Sequence, residues 1–105
     1  MVSASQITGY ATQLASEFSP EKIILLGSYA KGKPSDDRDV DVLVIMRHRK
    51  RNVEQALEID RRISRTFPLD LIVRTPAEIR RRLALKDVFT RAILEDGRVL
   101  YERSR

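Results

Sequence analysis

The chain reads as an α/β domain of the mixed, α+β kind, with one small mixed β-sheet flanked by helices. Three observations predict it. Apolar runs of strand length at 22–26, 39–46 and 69–73 are separated by stretches whose apolar residues recur at helical spacing. Pro20, Pro68 and Pro76 stand at the joints, and Gly97 precedes a last short apolar run. At 105 residues there is room for one modest core and not for two, so 1–105 is expected to be a single domain.

Ile7, Tyr10, Ala11, Leu14 and Phe18 share one helical face behind Ser3 or Ser5 as N-cap, which predicts a helix over about 4–17, closed by Pro20. The strand 22–26 is continuously apolar, as a strand buried on both faces should be. Gly27 permits a tight turn, and 28–31 fits one helical turn before Gly32 and Pro34 break it. Residues 35–38 are a loop, and 39–46 the second strand. The basic connector Arg47-His48-Arg49-Lys50-Arg51 leads to Asn52 as N-cap. A helix over about 53–66 follows, marked by Val53, Ala56, Leu57, Ile63 and Phe67, and stopped by Pro68.

Strand 69–73 is third. Thr75-Pro76-Ala77-Glu78 combines a cap, a proline at the first helical position and an early acid, opening a helix over 76–84. Another helix is expected over 86–95, ending at Gly97, and 98–102 forms a final short strand. The order is α-β-α-β-α-β-α-α-β.

Hydrophobic content of 42% and charged content of 33% fit a folded soluble protein. No cysteine is present, which excludes disulfides and thiolate metal sites and suits a reducing cytosol. The first residues carry neither the basic nor the apolar region of a secretion signal. No apolar run approaches membrane-spanning length, so a cytoplasmic protein with no membrane partner is expected. The net charge of +5 favours polyanions, whether nucleotides, RNA or an acidic protein surface, without choosing among them.

The acids in the strands are more selective. Asp39 and Asp41 open the second strand two positions apart, so both project to one face, about 6–7 Å apart along the chain. Asp70 lies inside the apolar run Leu69-Asp70-Leu71-Ile72-Val73. A carboxylate in an apolar strand is costly unless partnered. Two or three such groups on one face offer the oxygen ligands a hard divalent cation prefers, provided strand 69–73 lies beside strand 39–46. Asp39 taken singly is equally readable as a solvated loop-end acid or helix cap, whereas Asp41 and Asp70, set within apolar runs, fit that reading less well. Gly27-Ser28 stands where the first strand runs into a helical turn; its backbone N–H groups and the Ser28 hydroxyl are candidates for phosphate oxygens, with Lys31 and Lys33 nearby in sequence. Neither a P-loop nor a dinucleotide fingerprint occurs.

The pattern Leu26-Gly27-Ser28-Tyr29-Ala30-Lys31-Gly32, ten residues between Ser28 and Asp39, and then Asp39-Val40-Asp41 in an apolar strand resembles the polymerase-beta-like nucleotidyltransferase superfamily, most closely its minimal nucleotidyltransferase (MNT) branch. Asp70 falls where that family has its third carboxylate, and the ending Ile93-Leu94-Glu95-Asp96-Gly97-Arg98-Val99-Leu100-Tyr101 is also typical of it. Arg38 departs from the serine often found before the first motif aspartate, while Asp36 and Asp37 fall on no motif position.

The resemblance implies transfer of a nucleoside monophosphate, AMP from ATP, to an acceptor hydroxyl. Asp39, Asp41 and Asp70 would be both metal ligands and catalytic residues around two magnesium ions (Mg2+); Gly27, Ser28 and Lys31 would bind the nucleotide. Larger superfamily members carry a separate substrate-recognising domain, so a partner protein is expected to supply the acceptor. Within the MNT branch the chain resembles the antitoxin half of toxin–antitoxin modules whose other half is an all-helical HEPN protein. A hetero-oligomer, with the partner bound, adenylylated on a tyrosine, or both, is the expectation.

A second reading is a non-catalytic binding module. Arg47–Arg51 together with Arg61, Arg62, Arg65 and Arg80-Arg81-Arg82 offers a basic surface for RNA or an acidic partner, although few aromatics interleave with it for base stacking.

Overall fold

A computed structural model describes residues 2–32 and 39–104. The expectations placed on Lys33, Pro34, Ser35, Asp36, Asp37 and Arg38 fall outside these described residues. The order along the chain is α1 (Ala4–Phe18), β1 (Lys22–Leu26), α2 (Gly27–Ala30), β2 (Val40–Ile45), α3 (Asn52–Arg62), β3 (Leu69–Arg74), α4 (Pro76–Ala84), α5 (Val88–Asp96) and β4 (Arg98–Glu102).

Four strands form one mixed sheet in the order β3-β2-β1-β4. β1 is antiparallel to both β2 and β4, while β2 and β3 run parallel, joined by α3 as a crossover. β1 and β2 occupy the centre and are apolar on both faces, as the unbroken Ile23–Leu26 run implied.

Alternation along the strands sends side chains to two separate cores. Ile23, Leu25, Val40, Val42, Val44 and Val73 pack against α1 and α3, meeting Leu14, Ile59 and Ile63. Ile24, Leu26, Leu43 and Ile45 pack on the opposite face against Ile79 of α4 and Ile93 of α5. Leu14 is fully buried, so truncating it to alanine should cost about 2–5 kcal/mol.

The helix ends follow local chemistry. Ser3 caps α1: its Oγ accepts the Gln6 N–H at 3.1 Å, and Gln6 Oε1 accepts the Ser3 N–H at 2.8 Å. Asn52 does not cap α3, because its side chain is engaged elsewhere: it bonds His48 at 2.8 Å and donates to Glu78 at 2.9 Å. Arg51 takes the cap position, with its N–H given to the Glu54 carboxylate at 3.1 Å.

The α3 helix ends four residues earlier than its apolar periodicity suggests. Ile63 is already extended, at φ −111 and ψ 117, and Arg65 reaches back to Asp60 at 3.1 Å. Ile63 and Phe67 are nonetheless buried from the connecting loop, with Phe67 meeting Tyr10 edge-on at 5.9 Å. α5 starts at Val88 rather than at 86, because Lys86 takes a left-handed φ of 60 and Asp87 serves as N-cap.

Candidate active site

Asp41 and Asp70 belong to the sheet face that carries α4 and α5. The parallel register pairs Asp41 with Asp70 directly and Leu43 with Ile72, so the two aspartates stand side by side at the start of adjacent strands. Asp39 precedes β2, two residues before Asp41, and is exposed, as is Asp70; Asp41 is partly buried. Alternation and register thus bring Asp41 and Asp70 onto one face, while Asp39 stands just outside the strand. Among the described residues, however, no three carboxylate or histidine side chains are gathered tightly enough to form a metal cage.

Asp41 is also the antiparallel partner of Leu26, the residue before Gly27. A Cβ on Gly27 would lie 2.9 Å from Asp41 Oδ2, so the glycine gives the carboxylate its space. Gly27 has a φ of +68 as well, which an L side chain adopts only under strain. Backbone conformation thus requires the glycine, and a side chain there would also displace the Asp41 carboxylate.

Behind it, α2 closes into a single turn, with Lys31 N–H on the Gly27 carbonyl at 3.2 Å and Arg98 Nη2 on the Ala30 carbonyl at 3.1 Å. Tyr29 points away from this face into the α1 core, and its hydroxyl accepts the Val2 N–H at 3.2 Å. It packs rather than facing the carboxylates.

An open cleft of about 380 Å³ lies beside these residues, between the sheet and α5. Gly27, Lys31 and Asp41 form its polar side, with Leu26 and Ile72 from the strands. The opposite wall is one stripe of α5, Phe89, Ala92, Ile93 and Asp96, at helical positions i, i+3, i+4 and i+7. Ser28, Asp39 and Asp70 lie outside this lining. Gly97 lets α5 come down onto β1, since a Cβ there would meet Ile24 Cγ2 at 2.5 Å and the Ile93 carbonyl at 2.6 Å.

The α5 wall was not identified in the sequence as part of a site. Its signal was present in the spacing of residues 89, 92, 93 and 96, where an apolar stripe ends in an acid. Such a stripe is indistinguishable from an ordinary core face until the sheet is placed against it.

A polar network fixes this wall. Asp87 accepts the Phe89 N–H at 3.3 Å and the buried Thr90 hydroxyl at 2.6 Å, and it faces Arg82 at 3.5 Å. Thr90 first, then Phe89 and Arg82, hold the Asp87 carboxyl below the ordinary carboxylate range. Arg82 also bonds Glu78 at 3.4 Å, which continues the network through Asn52 to His48. Burial pushes the Glu78 carboxyl up, but the Asn52 amide, Arg74 and Arg82 outweigh it and leave the group below its usual value.

Asp41 and Asp70 put carboxylate oxygens, the donor type a hard divalent cation takes, on one face beside the cleft, with Gly27 leaving room for the Asp41 carboxylate.

The polymerase beta nucleotidyltransferase family matches residues 10–105. The chain belongs to this family. No curated protein is significantly similar to it. Among solved structures it is similar to a presumed nucleotidyltransferase from Sulfolobus solfataricus, with a TM-score of 0.65 and 23% identity over 94% of this chain and 79% of that one. This likeness establishes the mixed α/β nucleotidyltransferase fold. The family places the chain among proteins that use a nucleoside triphosphate and, generally, a divalent metal.

Proposed function

We propose that this chain transfers AMP from ATP to a hydroxyl of a partner protein, acting as the antitoxin of a pair whose toxin is a HEPN-like helical protein. The observation that carries the catalytic part is the Asp41–Asp70 register beside Gly27 at the edge of the cleft. Asp41 and Asp70, with Asp39, would hold two magnesium ions. When bound, the metals supply neutralisation of phosphate charge and activation of the acceptor hydroxyl.

The chain's own groups divide the remaining work. Gly27 N–H and Ser28 Oγ receive the outgoing phosphates, and Lys31 on the cleft wall supplies positive charge beside them. The acceptor oxygen bonds the α-phosphorus as the bond to the bridging oxygen breaks, so pyrophosphate leaves. Asp70, at the exposed edge strand, takes the hydroxyl proton. Exposure on the β3 edge favours this role, because a macromolecular hydroxyl can reach it.

A protein acceptor is supported by apolar surface near the cleft. Leu85 at the end of α4 and Val88 at the start of α5, next to Phe89, are 74% and 80% exposed. Adjoining exposed apolar side chains of this kind suit protein contact.

The test is transfer of label from ATP labelled at the α-phosphate, with magnesium, to the product of the neighbouring gene. Label on that protein, lost with Asp41→Asn, supports the proposal. Silencing of the partner by binding alone, with no label transferred, removes catalysis from the mechanism.

The RNA-binding alternative has less support, because several of its cations are already engaged. Lys50 pairs with Glu58 at 2.7 Å, Arg51 with Glu54 at 3.5 Å and Arg65 with Asp60 at 3.1 Å. Arg62 lies 3.5 Å from Glu58 and 3.8 Å from Glu17, and its guanidinium covers the Phe18 ring. RNA affinity that falls steeply with salt and ignores Asp41→Asn would restore that reading.

A further inference from the structure

Phe89 is the anomaly of the cleft. It is a large aromatic side chain in a folded domain, yet it is 63% exposed while lining a cavity. Its backbone is not loose: Asp87 caps the helix through the Phe89 N–H, and the next residue, Thr90, is buried with its hydroxyl on the same carboxylate. The backbone that carries the ring is therefore fixed at the rim of the cleft, and the ring itself is largely open to solvent.

The stripe Phe89, Ala92, Ile93 and Asp96 spans two helical turns, about 10 Å. Its Asp96 end leads into Gly97, packed against the Leu25 carbonyl just before Gly27. Its Phe89 end lines the same cleft as Ile72, two residues along β3 from Asp70. The cleft is thus graded from a charged side at Asp41, Gly27 and Lys31 to an apolar, aromatic side at Phe89, Ile72 and Ile93. A nucleotide has the same polarity, with charge at its phosphates and a flat π-face at its base. The volume of about 380 Å³ lies within the range of small-ligand sites.

We propose that Phe89 is the stacking platform for the nucleobase, with Ile72 and Ile93 completing an apolar slot. This assignment rests on the nucleotide reading of the carboxylate face. Because any base presents a π-face, the slot supplies affinity with little discrimination among bases. A stack of this kind is worth roughly fivefold to a hundredfold in affinity when its aromatic partner is truncated to alanine.

The experiment compares binding of ATP and of inorganic triphosphate, each with magnesium, to the wild type, Phe89→Ala and Phe89→Trp. The expected result is that Phe89→Ala weakens ATP by about fivefold to a hundredfold and leaves triphosphate within about twofold. The chain has no tryptophan, so Phe89→Trp places a single fluorophore in the slot, and ATP should quench it where triphosphate does not. Equal weakening of ATP and triphosphate by Phe89→Ala overturns the assignment, since the residue would then act on the fold. Unchanged ATP affinity in Phe89→Ala, with binding still lost in Asp41→Asn, overturns it too and leaves the proposed activity standing. If the wild type binds neither probe, both readings fall.

Discussion

Asp41 occupies the space that a side chain on Gly27 would enter, with Oδ2 only 2.9 Å from the position of a Cβ there. The two residues come from different strands, and the antiparallel pairing of Leu26 with Asp41 brings them together. Substitution of Gly27 by alanine should therefore act on both fold and site. A cost of about 1–3 kcal/mol is expected from the left-handed backbone and the contact together, with loss of ATP binding. Gly9, inside α1 with open space around it, is the control: Gly9→Ala should stabilise by up to about 1 kcal/mol. Denaturant unfolding of the two variants measures the contrast.

Among the described residues the buried Tyr10 hydroxyl has no hydrogen-bond partner, while its ring packs edge-on to Phe67. Tyr10→Phe keeps the ring and removes the stranded polar atom, so stability should be unchanged or raised. A loss beyond about 1 kcal/mol would show a partner for that oxygen.

Burial, followed by Asp60, pushes the Tyr10 hydroxyl up to about 12 from 10.0. The folded protein therefore holds this proton more tightly than the unfolded chain. Its contribution to stability is complete below pH 10 and declines between 10 and 12. An alkaline unfolding series should show that decline in the wild type and less of it in Tyr10→Phe.

Glu78 has the opposite sign. Its carboxyl is held below 4.5 in the folded state, so the unfolded chain binds more protons as pH falls through that region. The stabilisation it confers is present above pH 4.5 and is lost on acidification. Glu78→Gln should flatten the acid limb of the stability profile, and midpoints of unfolding from pH 6 downward test it.

Most of the fold was legible from apolar periodicity, proline placement and caps, because local chemistry sets those elements. Strand 22–26 and helix 76–84 have the bounds their residues suggest. The end of α3 was not legible. Ile59, Ile63 and Phe67 keep helical spacing whether the last two sit on a helix or in a loop folded onto the same core. Asn52 looked like a cap because its competing partner Glu78 is 26 residues away. The shared face of Asp41 and Asp70 depends on one parallel pairing that alternation alone does not supply. The cleft wall did not, since Phe89 and Asp96 acquire meaning only once α5 lies across the sheet.

The most direct test of the central claim is calorimetric titration of ATP into the wild type and into Asp41→Asn and Asp70→Asn, with magnesium and with chelator. Binding that requires magnesium and weakens at least about tenfold in each variant is the expected result, as for a metal held by paired carboxylates. ATP binding indifferent to chelator and to both substitutions would contradict it.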